Sequence, residues 1–279
     1  MRLSASRFLS AVTPPRLTPG HHGRMQDAVD ELVALLDLEA IEVNIFRGVS
    51  PDENRQRIFG GQVAGQALVA AARTVDEDRA VHSLHAYFLR PGDPTVPVLY
   101  EVDRIRDGRS FTTRRVVAIQ HGRAIFNLAA SFHIAEPGLE FLDHMPEVPP
   151  ADSLPTRSER FAEAGLPDPF ADRFHPLDIR YVTASPFRRT EPLPPVQRVW
   201  FRADGTLPDD QVLHTCLLTY ASDMTLLDTT LLPHGTGAGD TTLQMASLDH
   251  AMWFHRPFRA DEWLLYDQYT PASTGARGL

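Results

Sequence analysis

The sequence contains no lysine, so all 27 of its basic residues are arginines. This absence excludes a Schiff-base lysine and the lysine of a phosphate-binding P-loop. The single cysteine, Cys216, excludes an intramolecular disulfide and a metal site made only of cysteines, and it is typical of a reducing, cytoplasmic setting. No apolar run approaches the ~18 residues of a membrane-spanning helix. A net charge of −9 disfavours a nucleic-acid partner.

Two segments differ in composition from the rest of the chain. Residues 1–24 hold four arginines, three prolines and no acid, and their apolar stretch is too short for a signal peptide. We expect a disordered extension, or a start site placed too early with Met25 as the true first residue. Residues 136–195 hold 12 of the 23 prolines and are expected to be a linker that packs on the surface. Within that linker, "SERFAEAG" predicts a helical turn and "PLDIRYV" predicts a strand.

The chain carries an internal repeat. "WFHRPFRADEWLLYD" at residues 253–267 aligns without a gap on "YFLRPGDPTVPVLYE" at residues 87–101, at a constant offset of 166 residues. Aromatic residues, an Arg-Pro pair and a Leu-Tyr pair coincide. Such a repeat indicates a duplicated structural unit. We therefore expect one domain at residues 25–135 and a second at residues 196–279.

Each unit has the same predicted order of elements. In the first, a short amphipathic helix at residues 27–38 and a strand in "AIEVNIFRG" precede a helix at residues 59–75. That helix is apolar on all sides, which favours burial inside a sheet. Four antiparallel strands follow, with hairpin signals in "RDGRS" and "QHGR". In the second unit, "HTCLLTYASDMTLLDTTLL" predicts the matching helix, and at Leu279 the unit is expected to stop two strands short.

Several motifs in this order resemble the acyl-CoA thioesterase II family, bacterial and peroxisomal. They are "FRG", "FGGQVAGQAL", "VHSLHAYFLRPGD", "YASDM", "ASLDHAMWFHRPF", "EWLLY" and "ARG". The resemblance covers residues 25–279. It implies an α+β double hotdog: two tandem units, each an antiparallel sheet around a long buried helix, the second unit lacking its last strands. It also implies hydrolysis of acyl-CoA by an activated water, with no covalent intermediate and no cofactor.

The resemblance assigns roles to particular residues. Asp223 of "YASDM" would activate the water, and Ser247 of "ASLDH", where the family more often has threonine, would hold it. The family's third group, a glutamine on the last strand, is expected beyond Leu279. Residues of the first unit would bind substrate: Gly60, Gly61, Gln62 and His82.

Simpler interpretations of the same residues remain open. Asp223 could be a helix N-cap, and Ser247 could be an ordinary sheet serine. A serine nucleophile next to His250 or His255 is a competing arrangement, although no G-x-S-x-G elbow is present. The two glycines would equally serve close packing, and His82 a cross-strand hydrogen bond. No ligand spacing predicts a metal site.

The expected partner is acyl-CoA, with its acyl chain in an apolar tunnel between sheet and helix. By resemblance, the chain would form a dimer or tetramer. The alternatives are a non-catalytic acyl-CoA binding module and, less favoured, an enoyl-CoA hydratase. The arginines considered for the CoA phosphates are Arg57, Arg90, Arg106, Arg109, Arg256 and Arg277.

Overall fold

The computed structural model describes residues 19–51, 56–168, 175–183, 189, 191–237, 240 and 242–279, with side chains from Met25 onward. Its α-helices are α1 (Pro19–Leu36), α2 (Gly60–Ala72), α3 (Arg157–Glu163), α4 (Gln211–Ser222) and α5 (Leu226–Leu231). The strands of the first unit are β1 (Glu39–Glu42), β2 (Ile45–Gly48), β3 (Arg79–Phe88), β4 (Val98–Asp107), β5 (Phe111–Gln120) and β6 (Arg123–Ile134). The remaining strands are β7 (Leu177–Tyr181), β8 (Val196–Ala203), β9 (Asp249–Trp253), β10 (Leu264–Tyr269), β11 (Ser273–Thr274) and β12 (Arg277–Gly278).

The first unit is an antiparallel sheet packed around α2. The larger sheet has the strand order β1-β2-β4-β5-β6-β3-β9, and its inward residues belong to the same hydrophobic core as α2. Eleven of the 13 residues of α2 are buried. A helix with no polar face needs such an enclosure because water would otherwise contact its apolar side chains. The predicted α+β class and the buried helix are confirmed for this unit.

A symmetric strand pair joins the two units. β3 pairs antiparallel with β9, and His85 lies opposite Ala251. These residues are also equivalent by the sequence repeat, since 85 + 166 = 251. An approximate twofold axis therefore passes through this pair, and one sheet runs from the first unit into the second. β10 and β8 form a separate sheet with β7 of the linker, in the order β10-β8-β7, and β11 pairs only with β12.

The two central helices cross antiparallel near Gly65. A Cβ atom on Gly65 would lie 3.2 Å from the carbonyl oxygen of Cys216 on α4. The N-cap residues of the two helices are Phe59 and Asp210, which lie 210 − 59 = 151 positions apart. Equivalent residues of the strands that follow these helices, β3 and β9, lie 166 positions apart. The second unit therefore has 166 − 151 = 15 extra residues between helix and strand. The connection that contains them holds α5 and leads to Ser247.

Two predicted elements are each split by a break in the backbone. "AIEVNIFRG", predicted as one strand, is the hairpin β1–β2, because Asn44 takes a left-handed conformation with φ of 64°. The predicted second helix is likewise two helices, α4 and α5. It breaks at Asp223, which forms the C-cap of α4 and has ψ near 1°.

The helix at the start of the chain is longer than predicted, whereas the two elements predicted in the linker are present. α1 begins at Pro19, eight residues before the predicted start, and proline is tolerated in a first helical turn. Its first residues lie in the segment that was expected to be disordered, whereas residues 1–18 lie outside the described part. In the linker, α3 and β7 confirm the predicted turn and strand. Phe161 and Tyr181 are buried there, so this part of the linker packs against the fold; Phe170 and Phe174 lie outside the described residues.

Candidate active site

Asp223 lies where the helices of the two units meet. Its Oδ1 accepts a hydrogen bond of 2.7 Å from the Ser247 hydroxyl, which arrives on the connection just before β9. The backbone N–H of Gly61, in the first turn of α2, also donates to this carboxylate. The two residues predicted to be catalytic are thus in direct contact, although 24 positions separate them along the chain.

The start of α2 lacks a cap from its own unit. Phe59 occupies the N-cap position and offers no side-chain hydrogen bond, whereas Asp210 caps α4 by accepting from Val212 and Leu213. The first N–H groups of a helix have no acceptor one turn back. Asp223 therefore supplies to α2, from the other unit, the negative charge that a helix N-terminus favours.

Glycine is required at both of the first two positions of α2. A Cβ atom on Gly60 would lie 2.6 Å from Asp223 Oδ2, and one on Gly61 would lie 2.2 Å from the carbonyl oxygen of Tyr220. Any larger residue would push the end of α4 away from the start of α2. Close packing and the placement of the carboxylate are therefore two aspects of one arrangement.

Burial controls the ionisation of the site. It raises the pKa of Asp223 above the ordinary value, while the Ser247 hydroxyl, the nearby His250 and the Gly61 N–H each act to lower it. Burial lowers the pKa of His250, which favours a neutral ring. A carboxylate with a raised pKa binds a proton more readily than one in water, which suits a group that accepts a proton from water.

The histidine of the second unit contacts a different serine. His250 Nε2 lies 3.0 Å from the Ser222 hydroxyl, which also donates to the carbonyl oxygen of Thr219. Ser247 has the Asp223 carboxylate as its partner instead. The described hydrogen bonds therefore do not form the competing Ser247–His250 arrangement.

Buried polar side chains hold the chain after the break at Asp223. The Gln268 amide on β10 donates to the Thr225 hydroxyl at 2.6 Å and accepts from Thr229 at 2.5 Å, and Gln197 on β8 donates to it at 3.2 Å. Neither glutamine was predicted from the sequence. Gln197 shares the inward face of β8 with Val199 and Phe201, and a polar residue at such a position does not by itself identify a function.

A cavity of about 610 Å³ opens beside Asp223. Its apolar wall comes from α2, β3, β6 and α5, and Ser247 and Gly60 also line it. Of the arginines considered for CoA, Arg57 and Arg90 line this cavity, whereas Arg256 is paired with Glu140 at 3.1 Å. The other candidates, Arg106, Arg109 and Arg277, are not among the residues that line it.

Two residues predicted to bind substrate lie away from this cavity. The Gln62 amide donates to the backbone of Val49 and to Ser50, and its side chain lines a neighbouring cavity. His82 lies on the outer face of the sheet, 2.8 Å from the Ser131 hydroxyl, with its ring near those of Phe111 and His133. Side chains alternate along a strand, and the neighbours of His82 point into the core. The structure thus shows the cross-strand hydrogen bond that was the simpler interpretation of His82.

The fold and the site together define a class: a duplicated hotdog protein with a partly buried carboxylate–hydroxyl pair at a helix N-terminus. Comparison with known proteins identifies the family. The acyl-CoA thioesterase family matches residues 176–279, and the acyl-CoA thioesterase N-terminal domain matches residues 50–133. The chain belongs to the acyl-CoA thioesterase II family.

Individual relatives agree with this assignment. The chain is 43% identical over 262 residues to acyl-coenzyme A thioesterase 8 of Homo sapiens, covering 89% of this chain and 81% of that protein. It is 39% identical to acyl-CoA thioesterase 2 of Haemophilus influenzae, covering 91% of each. The crystal structure of an acyl-CoA thioesterase II from Mycobacterium marinum has a TM-score of 0.72 and 48% identity, over 90% of this chain and 89% of that one. A hotdog-fold protein from Alicyclobacillus acidocaldarius, at 18% identity and a TM-score of 0.68 over 86% of each chain, shows the shared fold.

Proposed function

We propose that this chain hydrolyses acyl-CoA to a free fatty acid and CoA, using a water molecule activated by Asp223. One observation carries the proposal: the Asp223–Ser247 hydrogen bond lies at the open N-terminus of α2, inside a cavity large enough for a substrate. A carboxylate next to free N–H groups supplies a base for water and a site for the developing negative charge. Family membership supports acyl-CoA as the substrate.

In the proposed reaction, the described residues act as follows. Asp223 accepts a proton from water as the water oxygen attacks the thioester carbonyl carbon. The carbonyl oxygen becomes an oxyanion, and the Gly60 N–H at the first position of α2 donates to it. The carbon–sulfur bond then breaks, and the protonated Asp223 returns its proton to the CoA sulfur. Ser247 orients the carboxylate and the water and forms no bond to the acyl group.

The proposal is tested by Asp223→Asn, which keeps the size of the side chain but removes the base. We expect kcat for palmitoyl-CoA, measured as release of free thiol, to fall by about 10² to 10⁴, with KM little changed. The matched control is Asp228→Asn on α5. That acid is buried as well, which raises its pKa to about 6, so Asp228→Asn removes the same kind of buried carboxyl group outside the proposed site. Asp228 is not among the residues lining the cavity.

Full turnover by Asp223→Asn would rule out its role. Binding of acyl-CoA by the native protein without thiol release would instead favour the non-catalytic binding module. Rapid mixing separates the water path from a covalent one. Free CoA and fatty acid are expected to form together, whereas a burst of CoA ahead of fatty acid would indicate an acyl-enzyme on Ser247.

The setting and assembly of the protein are part of the same proposal. The described part of the chain contains no helix long and apolar enough to cross a bilayer. Cys216 is buried, and burial raises the pKa of its thiol, which keeps it unreactive. A cytoplasmic enzyme that associates with further copies of itself remains our expectation.

A further inference from the structure

A second cavity, of about 450 Å³, adjoins the first. It lies between α1, the start of α2, the end of α4 and β7, and its wall includes Leu32, Leu35, Ile58, Leu177 and Tyr220. The two cavities share the short segment at residues 57–59, so only a few side chains separate them. One of these, Phe59, packs edge-on against Tyr220 with ring centroids 5.1 Å apart.

Both cavities reach the proposed reaction centre. Phe59 immediately precedes Gly60, and Met224 immediately follows Asp223, and both line the second cavity. A thioester has two arms, one leading to CoA and one to the acyl chain. A carbonyl held between Gly60 and Asp223 must therefore send its arms in different directions, and two cavities meet at that point.

The charges around the cavities distinguish the two arms. The CoA arm carries phosphates. Arg90 lines only the first cavity, whereas Arg57 lines both and donates to the Met245 carbonyl in the wall of the first. The second cavity is lined by the acidic Glu31 and by Arg157. The Arg157 guanidinium lies 3.2 Å from His175 Nε2 and is attracted by the carboxylate of Asp168. An arginine that already interacts with an acid is a poor phosphate site, whereas the aliphatic wall of the second cavity suits a hydrocarbon chain.

We infer that the second cavity, beneath α1, holds the acyl chain, and that the first cavity holds the thioester and the CoA arm. This inference rests on the proposed function and assigns its acyl-binding side. It differs from a tunnel between sheet and central helix, because α1, the end of α4 and β7 form the chamber. Residues of α1 then set which chain lengths are accepted.

The test narrows the chamber from α1. Ala28→Phe and Leu35→Trp each introduce an aromatic ring at a residue that lines the second cavity. We expect kcat/KM for palmitoyl-CoA to fall by about tenfold or more, while that for butyryl-CoA stays within about twofold, since each excluded methylene weakens binding. The matched control, Asp27→Phe, adds a ring on the exposed side of the same helix, away from the cavity, and leaves both values unchanged.

The opposite assignment, with the acyl chain in the first cavity, predicts a different pattern of activities. Val63→Phe narrows the first cavity and is expected to slow both substrates alike. Selective loss of palmitoyl-CoA activity in Val63→Phe, with an unchanged profile in folded Ala28→Phe and Leu35→Trp, would overturn the inference.

Failure of the proposed function can be distinguished from failure of this inference. If the native protein hydrolyses neither ester, calorimetric titration with palmitic acid tests the chamber directly. Binding weakened in Ala28→Phe but kept in Asp27→Phe supports the chamber, and equal binding in both contradicts it.

Discussion

At the scale of single residues, Asp223 is defined by groups from three parts of the chain. The Ser247 hydroxyl, just before β9, and the Gly61 N–H, on α2, both donate hydrogen bonds to its carboxylate. His250 on β9 interacts with it electrostatically. Each of these lowers the pKa of Asp223, against a larger effect of burial that raises it. The proton affinity of Asp223 is therefore a balance that one substitution can shift.

Ser247→Ala is expected to move the acid limb of the pH–rate profile to higher pH. On the proposed mechanism, kcat/KM of the native protein is expected to fall as pH drops through the raised pKa of Asp223, because only the ionised carboxylate accepts a proton. Removal of the hydroxyl takes away a hydrogen bond that favours ionisation, so the pKa rises further. The profile of kcat/KM for palmitoyl-CoA between acid and neutral pH measures this shift. An unmoved limb would mean that Ser247 does not contact the base in solution, and Ser222→Ala provides a neighbouring comparison.

At the scale of elements, the site depends on how closely the two central helices approach. The end of α4 reaches the start of α2 because Gly61 presents no side chain to the Tyr220 carbonyl. The 15 extra residues of the second unit then allow the chain to break after Asp223, form α5 and return with Ser247. At the other end of the helix pair, Asp210 caps α4 from within its own unit. Ala72 lies 151 positions before Asp223, so by the offset between the two helices it is the equivalent of Asp223 in the first unit. At one end of the pair the carboxylate therefore comes from the opposite helix, and at the other end it comes from the N-cap of the same helix.

Gly61→Ala tests this approach of the helices. A methyl group there would meet the carbonyl oxygen of Tyr220 at 2.2 Å, so the helices must separate. We expect the free energy of unfolding, from urea titration, to fall by about 1–3 kcal/mol, and kcat to fall as Asp223 moves. Gly138→Ala is the control, because a Cβ atom there meets nothing within 4 Å. Equal stability of the two variants would contradict the close approach.

At the scale of the whole molecule, the β3–β9 pair makes one sheet from two units and leaves aromatic residues on its outer face. Tyr87 and Trp253 are each 58% exposed on these adjacent strands, and Phe111 is 42% exposed on β5. An exposed aromatic surface at a twofold axis favours association with a second copy, because such patches are uncommon on monomers.

Trp253→Asp is expected to weaken that association. Light scattering of the native protein should give a mass two or four times the 31.1 kDa of one chain, and the variant should shift toward 31.1 kDa. A charge placed in an apolar interface opposes burial. Val43→Asp, at the exposed tip of the β1–β2 hairpin, changes the same kind of side chain elsewhere and should not alter the mass. A native mass of one chain would refute the expected oligomer.

The sequence alone predicted the duplication, the main elements of each unit and the two residues, Asp223 and Ser247, that the structure brings into contact. Periodicity and turn residues act over a few positions, so the apolar helix at residues 59–75 and the strands that follow it could be predicted locally. The resemblance to a family then identified Asp223 and Ser247, which no local pattern distinguished from a cap and a sheet serine.

Only the tertiary structure decided which helix Asp223 faces, where the helix around it breaks and which side of the sheet carries His82. The contact of Asp223 with Gly61 joins residues 162 positions apart, from 223 − 61. Such a contact follows from how two apolar helices pack, and no periodicity within either helix encodes it. The two cavities likewise exist only because α1, the connection after α4 and β7 converge on the start of α2.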